Sequence, residues 1–444
     1  MSESKYLTDP AVAASSGVSR RRFVQSTGAL GLGAGVAGFP HIVAAQGANS
    51  GGSTKVLKVG LVGCGGRGTG AASQALLADP NVELWAMADA FEPQIKKSLA
   101  NLSRKFSDRI KVAPARQFAG LDGYQKLMDS GVDVVLLTAP PGFRPKHLEA
   151  AVNAGKHIFA EKPMAVDMAG VKSVLASAKL AQSKGISIQH GYCWRFAPAV
   201  REAYKRVLDG ELGRVISVYG NFLVSPPKPM KPDSSRKPEW SDVEWQVRNW
   251  MGFEWLSGGP LIEQAVHSID KMAWAMGDVA PIAAVASGGR SQRQDSGNTY
   301  DHYNIAYEYP NGTICHIAQR QYTKTHSEVV DRVFCEKGRM VGPGRPMFYD
   351  AAGKAIWRYR GQNENMYQVS HNELFAAIRA GKIINTGEYM ANSTALGLLG
   401  REAAHTGKRL TWKALMESDD DLAPDSLKWG DSHKVPGVPI PGRG

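Results

Sequence analysis

The 444-residue chain is poor in cysteine, with Cys64, Cys193, Cys315 and Cys335 alone. None forms a CxxC pair or a zinc-ligand cluster, so zinc-ribbon and dithiol redox chemistry have no footing in the sequence. Cys315 and Cys335 fall on candidate neighbouring strands, and four free thiols are the expectation. No run reaches the ~20 apolar residues of a membrane-spanning helix. No basic block is interleaved with aromatics: the formal net charge is +12, but its lysines and arginines are dispersed. That disfavours nucleic acid as a partner and reads as a solvated surface open to anions. No internal repeat is present. What remains is an ordinary globular composition, 43% hydrophobic and 21% charged. The chain is too long for one small core, so two domains are expected.

The first 45 residues read as an address. Ser19-Arg20-Arg21-Arg22-Phe23-Val24 matches a twin-arginine export motif, a weakly apolar Gly/Ala-rich stretch follows over 28–39, and Val43-Ala44-Ala45 offers small residues for cleavage. Charge, apolar run and small residues in that order mark a processed signal. The expected partner is the twin-arginine export machinery, and the expected location is the periplasm or outside the cell. Residues 46–55 read as a flexible linker.

From residue 56 the pattern changes. Val56-Leu57-Lys58-Val59-Gly60-Leu61-Val62 suits a buried parallel strand. Gly63-Cys64-Gly65-Gly66-Arg67-Gly68 follows directly and leads into a predicted helix over 69–77, which places a G-x-G-x-x-G loop in its proper strand-to-helix context. Gly63 permits the tight turn, Gly65 lets backbone approach a pyrophosphate, and Gly68 lets helix pack on strand. The amides of the helix start, from Gly66 on, favour an anion. A second strand over 82–88 ends at Asp89, placed to bond the adenosine ribose, which favours NAD over NADP, although Arg67 can reach a phosphate. Strands over 132–137, 157–160 and 186–189 alternate with helices over 93–106, 122–130, 145–154 and 167–183. That alternation predicts an α/β fold with a doubly wound parallel sheet over 56–190. Gly63, Asp89, Thr138 and Lys162 all fall at its carboxyl edge, where ligands bind.

The second half, 191–410, reads as an α+β domain. Strands are expected over 215–222, 282–286, 303–309, 313–319 and 329–335, with Pro310-Asn311-Gly312 a hairpin turn, in an open, largely antiparallel sheet. Helices over 368–380 and 391–406 close it. The Pro/Lys/Ser-rich stretch 225–241 is a long loop placed to cover a site, and the C-terminal tail, 411–444, is irregular from Ser418 on.

Several segments carry candidate chemistry. Lys162, in Glu161-Lys162-Pro163-Met164, can stabilise a developing alkoxide from the mouth of the sheet. His267 is the candidate general acid/base, with Glu263 four residues earlier on the same face of a predicted helix; a buried structural histidine capped by Asp270 is the alternative. No third ligand stands near that pair, so no metal is expected. Tyr192 and Arg195 follow the sixth strand, where an arginine fixes an amide or a substrate oxygen, or else serves a structural ion pair. Arg248-Asn249-Trp250, with Trp240, Trp245, Phe253 and Trp255, suits a sugar ring or a domain core; Trp250 is read as the substrate contact.

The glycine loop, Glu161-Lys162-Pro163, Gly191-Tyr192-Cys193-Trp194-Arg195-Phe196-Ala197-Pro198, and the segment from Gly259-Pro260-Leu261-Ile262-Glu263 to His267 and Asp270 occur together, in this order. In this the chain resembles the Gfo/Idh/MocA oxidoreductases, which include glucose–fructose oxidoreductase and inositol dehydrogenase, over essentially all of the chain past the signal. The resemblance implies a Rossmann domain followed by an α+β domain, with Lys162 as the catalytic lysine and Pro163 shaping its turn. It places Gly63, Gly65, Gly66, Arg67, Gly68, Asp89, Thr138, Pro140, His147, Glu161, Lys162 and Arg195 at a tightly held NAD, or NADP. It places Tyr192, Arg248, Trp250, Glu263 and His267 at the substrate. The family usually has Asp where this chain has Glu263. The implied activity is hydride transfer between the nicotinamide and a secondary hydroxyl of a sugar, glycoside or inositol, in a homodimer or homotetramer. Redox-assisted glycoside hydrolysis is the competing activity, and a redox-dead sugar- or cofactor-binding protein the competing role.

Overall fold

The computed structural model describes residues 55–424 and 426–443. The twin-arginine motif and the 28–39 stretch lie outside the described residues.

The first domain is a six-stranded parallel sheet in the order β3-β2-β1-β4-β5-β6. Its strands are β1 (Leu57–Val62), β2 (Val82–Asp89), β3 (Gln117–Ala119), β4 (Val134–Leu137), β5 (His157–Ala160) and β6 (Ile188–His190). All four residues of β4 are buried, as a strand covered on both faces requires. Helices α1 (Gly66–Ala78), α2 (Glu92–Phe106), α3 (Gly123–Met128), α4 (Arg144–Asn153) and α5 (Met168–Ser183) connect the strands. α5 starts where Asp167 accepts a bond from Gly170 N at 2.7 Å, an N-cap the sequence displays. α1 starts three residues ahead of its expected position, because the glycine loop itself supplies its first turn. Strand order reverses between β1 and β4, which opens the ligand crevice at their carboxyl ends.

The second domain begins with α6 (Pro198–Leu208) and β7 (Val215–Val224). Next come α7 (Asp242–Arg248), α8 (Glu254–Ser257), a π turn over Leu261–Ala265 and α9 (Val266–Ala275). β8 (Ala283–Gly289), β9 (His302–Glu308), β10 (Ile314–Gln321), β11 (Glu328–Cys335), β12 (Gly338–Val341), β13 (Met347–Asp350) and β14 (Ala355–Arg358) follow. α10 (Met366–Arg379), α11 (Gly387–Thr406), β15 (Leu410–Thr411) and α12 (Trp412–Glu417) complete it. The sheet has nine strands in the order β14-β13-β12-β11-β7-β10-β9-β8-β15. Only the β7–β10 pair is parallel. The β9–β10 hairpin closes on Asn311, whose Oδ1 accepts from Thr313 N at 3.1 Å, and on Gly312 at φ +79°.

One continuous core joins α9 and α11 to the first domain's α5 through Ile269, Met272, Leu396, Leu399, Val171 and Val174. Cys315 on β10 and Cys335 on β11 flank β7 rather than face each other, and all four thiols are buried and free. The described tail holds no helix or strand after Glu417. It ties the halves together: Leu422 N donates to Asp167 Oδ2 at 3.0 Å, and Gln246 Nε2 donates to His433 O at 2.7 Å. No helix among the described residues is long and apolar enough to cross a membrane.

Candidate active site

A cavity of about 850 Å³ lies where the carboxyl edge of the parallel sheet meets the second domain. The glycine loop forms its floor. At Gly63, with φ +93°, a Cβ would stand 2.5 Å from Ala139 N, so only glycine fits. A Cβ on Gly68 would collide with Gly63 O, the close helix–strand approach expected of this position. At Gly65 and Gly66 nothing lies within 4 Å of an added Cβ, so the backbone there faces open space. Thr138 Oγ1 locks the loop by donating to Gly63 O at 2.7 Å. Bare backbone, a helix start without an acid in its first turn and an adjoining cavity fit a dinucleotide pyrophosphate.

Asp89 lines the same cavity. Its carboxylate accepts from Cys64 N at 2.6 Å and from Phe91 N at 2.9 Å, while burial raises its pKa. Arg67 also lines the cavity, with its guanidinium already paired. Its Nε donates to Glu161 Oε1 at 2.6 Å, its Nη2 to Gln74 Oε1 at 2.7 Å, and its guanidinium lies 4.6 Å from the Tyr367 ring centroid. Pro140 and His147 also line the cavity. His147 packs against Tyr124 at 4.2 Å and Phe143 at 5.9 Å, and burial beside Arg144 pushes its pKa down to about 3.

Lys162, Glu263 and His267 converge on this cavity. Lys162 Nζ donates to the Glu263 backbone carbonyl and stands 3.3 Å from Glu263 Oε1. Glu263 belongs to the π turn and His267 to α9, so the expected single α-helical face is replaced by a widened turn in which the Glu263 carbonyl and Oε1 both meet Lys162. Burial, then the cations Lys162 and Lys271, hold the His267 pKa well below its ordinary value, and its Nδ1 has no partner among the described residues. Arg248 and Trp250 line the second-domain wall.

Tyr192 and Arg195 do not line the cavity, which corrects their expected roles. Tyr192 is fully buried, its hydroxyl 3.0 Å from Thr394 Oγ1. Arg195 pairs with Asp270 at 3.2 Å and Asp278 at 2.6 Å, and its guanidinium stacks on Trp274 and Tyr389. The short 3₁₀ turn Cys193–Phe196 carries Arg195 inward, where Asp270 serves it rather than capping His267. Trp245, Phe253 and Trp255 are core. Sequence reasoning missed Tyr124, Tyr367, Lys228 and Lys231 on the walls. The only prior signal for any of them was the Lys/Pro/Ser-rich loop over 225–241.

Two family models match this chain. An oxidoreductase family model with an NAD-binding Rossmann fold covers residues 57–190, and a GFO/IDH/MocA C-terminal domain model covers 200–341. The chain belongs to the GFO/IDH/MocA oxidoreductase family. Among its relatives, the dTDP-3,4-didehydro-2,6-dideoxy-alpha-D-glucose 3-reductase of Actinomadura kijaniata is 25% identical over 231 residues, 52% of this chain and 59% of the relative. The scyllo-inositol 2-dehydrogenase (NAD(+)) of Bacillus subtilis strain 168 is 30% identical over 169 residues, 38% of this chain and 42% of the relative. The chain thus spans about half the length of the curated relatives it matches. Levoglucosan dehydrogenase, solved with NADH and levoglucosan, shares the GFO/IDH/MocA member's fold at TM-score 0.62 and 19% identity, covering 80% of this chain and 99% of its own. The aldose-aldose oxidoreductase of Caulobacter crescentus, complexed with glycerol, does so at TM-score 0.63 and 19% identity, covering 80% of this chain and all of its own.

Proposed function

We propose that this GFO/IDH/MocA member is an NAD(P)-dependent oxidoreductase acting on a secondary hydroxyl of a sugar, glycoside or inositol. The convergence of Lys162, Glu263 and His267 on the cavity floored by the glycine loop carries this reading. The bound nicotinamide ring supplies the hydride acceptor or donor. Gly63, Gly65, Gly66 and Gly68 hold the pyrophosphate, and Asp89 and Thr138 hold the loop that shapes its bed. Lys162 donates a hydrogen bond to the reacting oxygen and stabilises negative charge there. Glu263 keeps Lys162 aimed by accepting from its Nζ. His267, held neutral, accepts the hydroxyl proton in oxidation and returns it in reduction. Trp250 offers an apolar face to the sugar ring. The activities of the relatives, on a dideoxy sugar and an inositol, support the polyol class.

The test is to mix purified protein, loaded with NAD, with a panel of sugars, glycosides and inositols and record the absorbance of reduced nicotinamide. A rise with one class and its loss in Lys162→Met support the reading. No change with any compound, in protein that binds NADH, overturns it. Released sugar without net reduction would favour oxidation-assisted hydrolysis instead.

Residues 19–24 support export by the twin-arginine route, so the reading places the enzyme in the periplasm or outside the cell. Retention of an Arg20→Lys/Arg21→Lys variant in the cytoplasm is the expected result. The uncovered sheet face supports a homo-oligomer. Val285, Ala306, His316, Tyr219 and Arg332 form one cross-strand row there, and Ile314 and Phe334 are exposed nearby.

A further inference from the structure

The cations on the cavity walls are not equivalent. Arg67 answers Glu161, and Lys162 answers Glu263. Arg144 is fully buried, donating to the carbonyls of Leu137 at 2.6 Å and Pro163 at 3.4 Å. Lys228 and Lys231, exposed at the rim, make no ion pair among the described residues. Both come from the loop between β7 and α7, and that loop is fastened. Lys231 N donates to Asn249 Oδ1 at 3.1 Å, and Met230 packs into the aromatic cluster so closely that a Cβ on Gly252 would fall 2.6 Å from its sulfur.

Arg248 stands beside Asn249 on the same wall. Its guanidinium is clamped, 4.3 Å from the Phe91 ring centroid and 4.5 Å from that of Trp240. Its Nε and Nη2 both donate to Glu244 Oε1, at 2.9 and 2.6 Å, which leaves Nη1 without a partner among the described residues. A guanidinium fixed in this way loses little entropy when it binds. Phe91 lies two residues past Asp89, at the ribose end of the sheet edge. Meanwhile Arg67, the cation of the glycine loop, is committed to Glu161 and Gln74.

We propose that Lys228, Lys231 and Arg248 form an anion subsite, separate from the glycine loop, that takes a phosphoryl or carboxylate group. The group comes either from the ribose 2′-phosphate of NADP or from an acidic substituent of the sugar. The subsite deepens the function proposed above and rests on it only for the sugar arm. The charge balance agrees. Desolvation, then the neighbouring Lys231, lowers the Lys228 pKa, and an arriving anion offsets the repulsion between the two lysines.

The experiment uses the full protein as Lys228→Met/Lys231→Met and, separately, as Arg248→Met. NADH and NADPH affinities come from nicotinamide fluorescence, and the KM ratio of glucuronate and glucose 6-phosphate to glucose from turnover. If the NADPH-to-NADH affinity ratio falls tenfold or more in the variants, the anion is the cofactor's phosphate. If that ratio holds and the preference for the acidic sugars falls tenfold, the anion belongs to the substrate. Ratios within twofold of wild type in every arm overturn the subsite. The lysine variant leaves the Phe91–Trp240 clamp intact, so it reads the charge even if Arg248→Met misfolds. Should no sugar be oxidised at all, the proposed function fails, yet the cofactor arm still tests the subsite.

Discussion

At the scale of single residues, the site rests on one lysine held by one backbone carbonyl. Lys162→Met removes the donor to the reacting oxygen without touching the glycine loop. Turnover is expected to fall by about 10²–10⁴-fold, the usual worth of a positioned proton-transfer or charge-stabilising group, while NADH affinity stays within about threefold. Stopped-flow turnover alongside fluorescence titration checks both halves. His267 sets the pH dependence. Its pKa is lowered by burial and by the Lys162 and Lys271 charges, so its neutral form persists below the ordinary histidine value of 6.5. A base is active when neutral, so the acid limb of kcat/KM is expected below pH 6.5, and a limb above that value would count against His267 as the base. Lys162 and Glu161 were legible because their motif follows a parallel strand's carboxyl end, where ligands bind, and matches the family's. Tyr192 and Arg195 were misplaced because one leads into and the other sits in a 3₁₀ turn, whose side-chain directions no strand period fixes.

At the scale of elements, close backbone approaches decide the geometry. Gly191 follows β6 against the Glu161 side chain, and an added Cβ would strike its carboxylate and lie 2.9 Å from its Cα. Gly191→Ala is therefore expected to push Glu161 aside, free Arg67 and swing Lys162 off Glu263. Overpacking of this kind costs roughly 1–3 kcal/mol, read as a lower melting temperature, with kcat falling more than KM rises. An unchanged kcat would show that β5 and Lys162 do not depend on this contact. The parallel strands of the first domain were legible, since buried strands read as continuous apolar runs. β3 was not: its three residues, Gln117, Phe118 and Ala119, carry too little pattern. β12–β14 escaped for a related reason, being four-residue strands with mixed polar faces that only pairing to β11 makes visible. The π turn was hidden as well, because its sequence satisfies an α-helical spacing equally.

At the scale of the whole molecule, buried titrating groups link stability to pH in both domains. His147 on α4 and His371 on α10 have pKa values pushed down to about 3 by burial, and His405 on α11 to about 4. An unfolded histidine titrates near 6.5, so between that pH and the folded values the unfolded chain binds more protons. Their contribution is whole above pH 6.5 and is lost as pH falls. Glu254 on α8 works in the opposite sense. It is buried 3.4 Å from His405 Nε2, and burial raises its pKa to about 7. Its unfolded carboxyl ionises near 4.5, so the folded state binds more protons between 4.5 and 7, and above 7 the buried charge costs about 3 kcal/mol at most. Glu254→Gln keeps the side chain's size and removes that charge. The variant is expected to melt higher than wild type at pH 8 and to lose the advantage at pH 4.5, where both carry a neutral side chain. Meanwhile both proteins should melt progressively lower from pH 6.5 down to 4, as the three histidines withdraw support from the Rossmann sheet and the second domain together. Calorimetric scans across that range separate the two effects. An advantage for Glu254→Gln that persists at pH 4.5 would mean that packing around α8, rather than the buried charge, limits stability there.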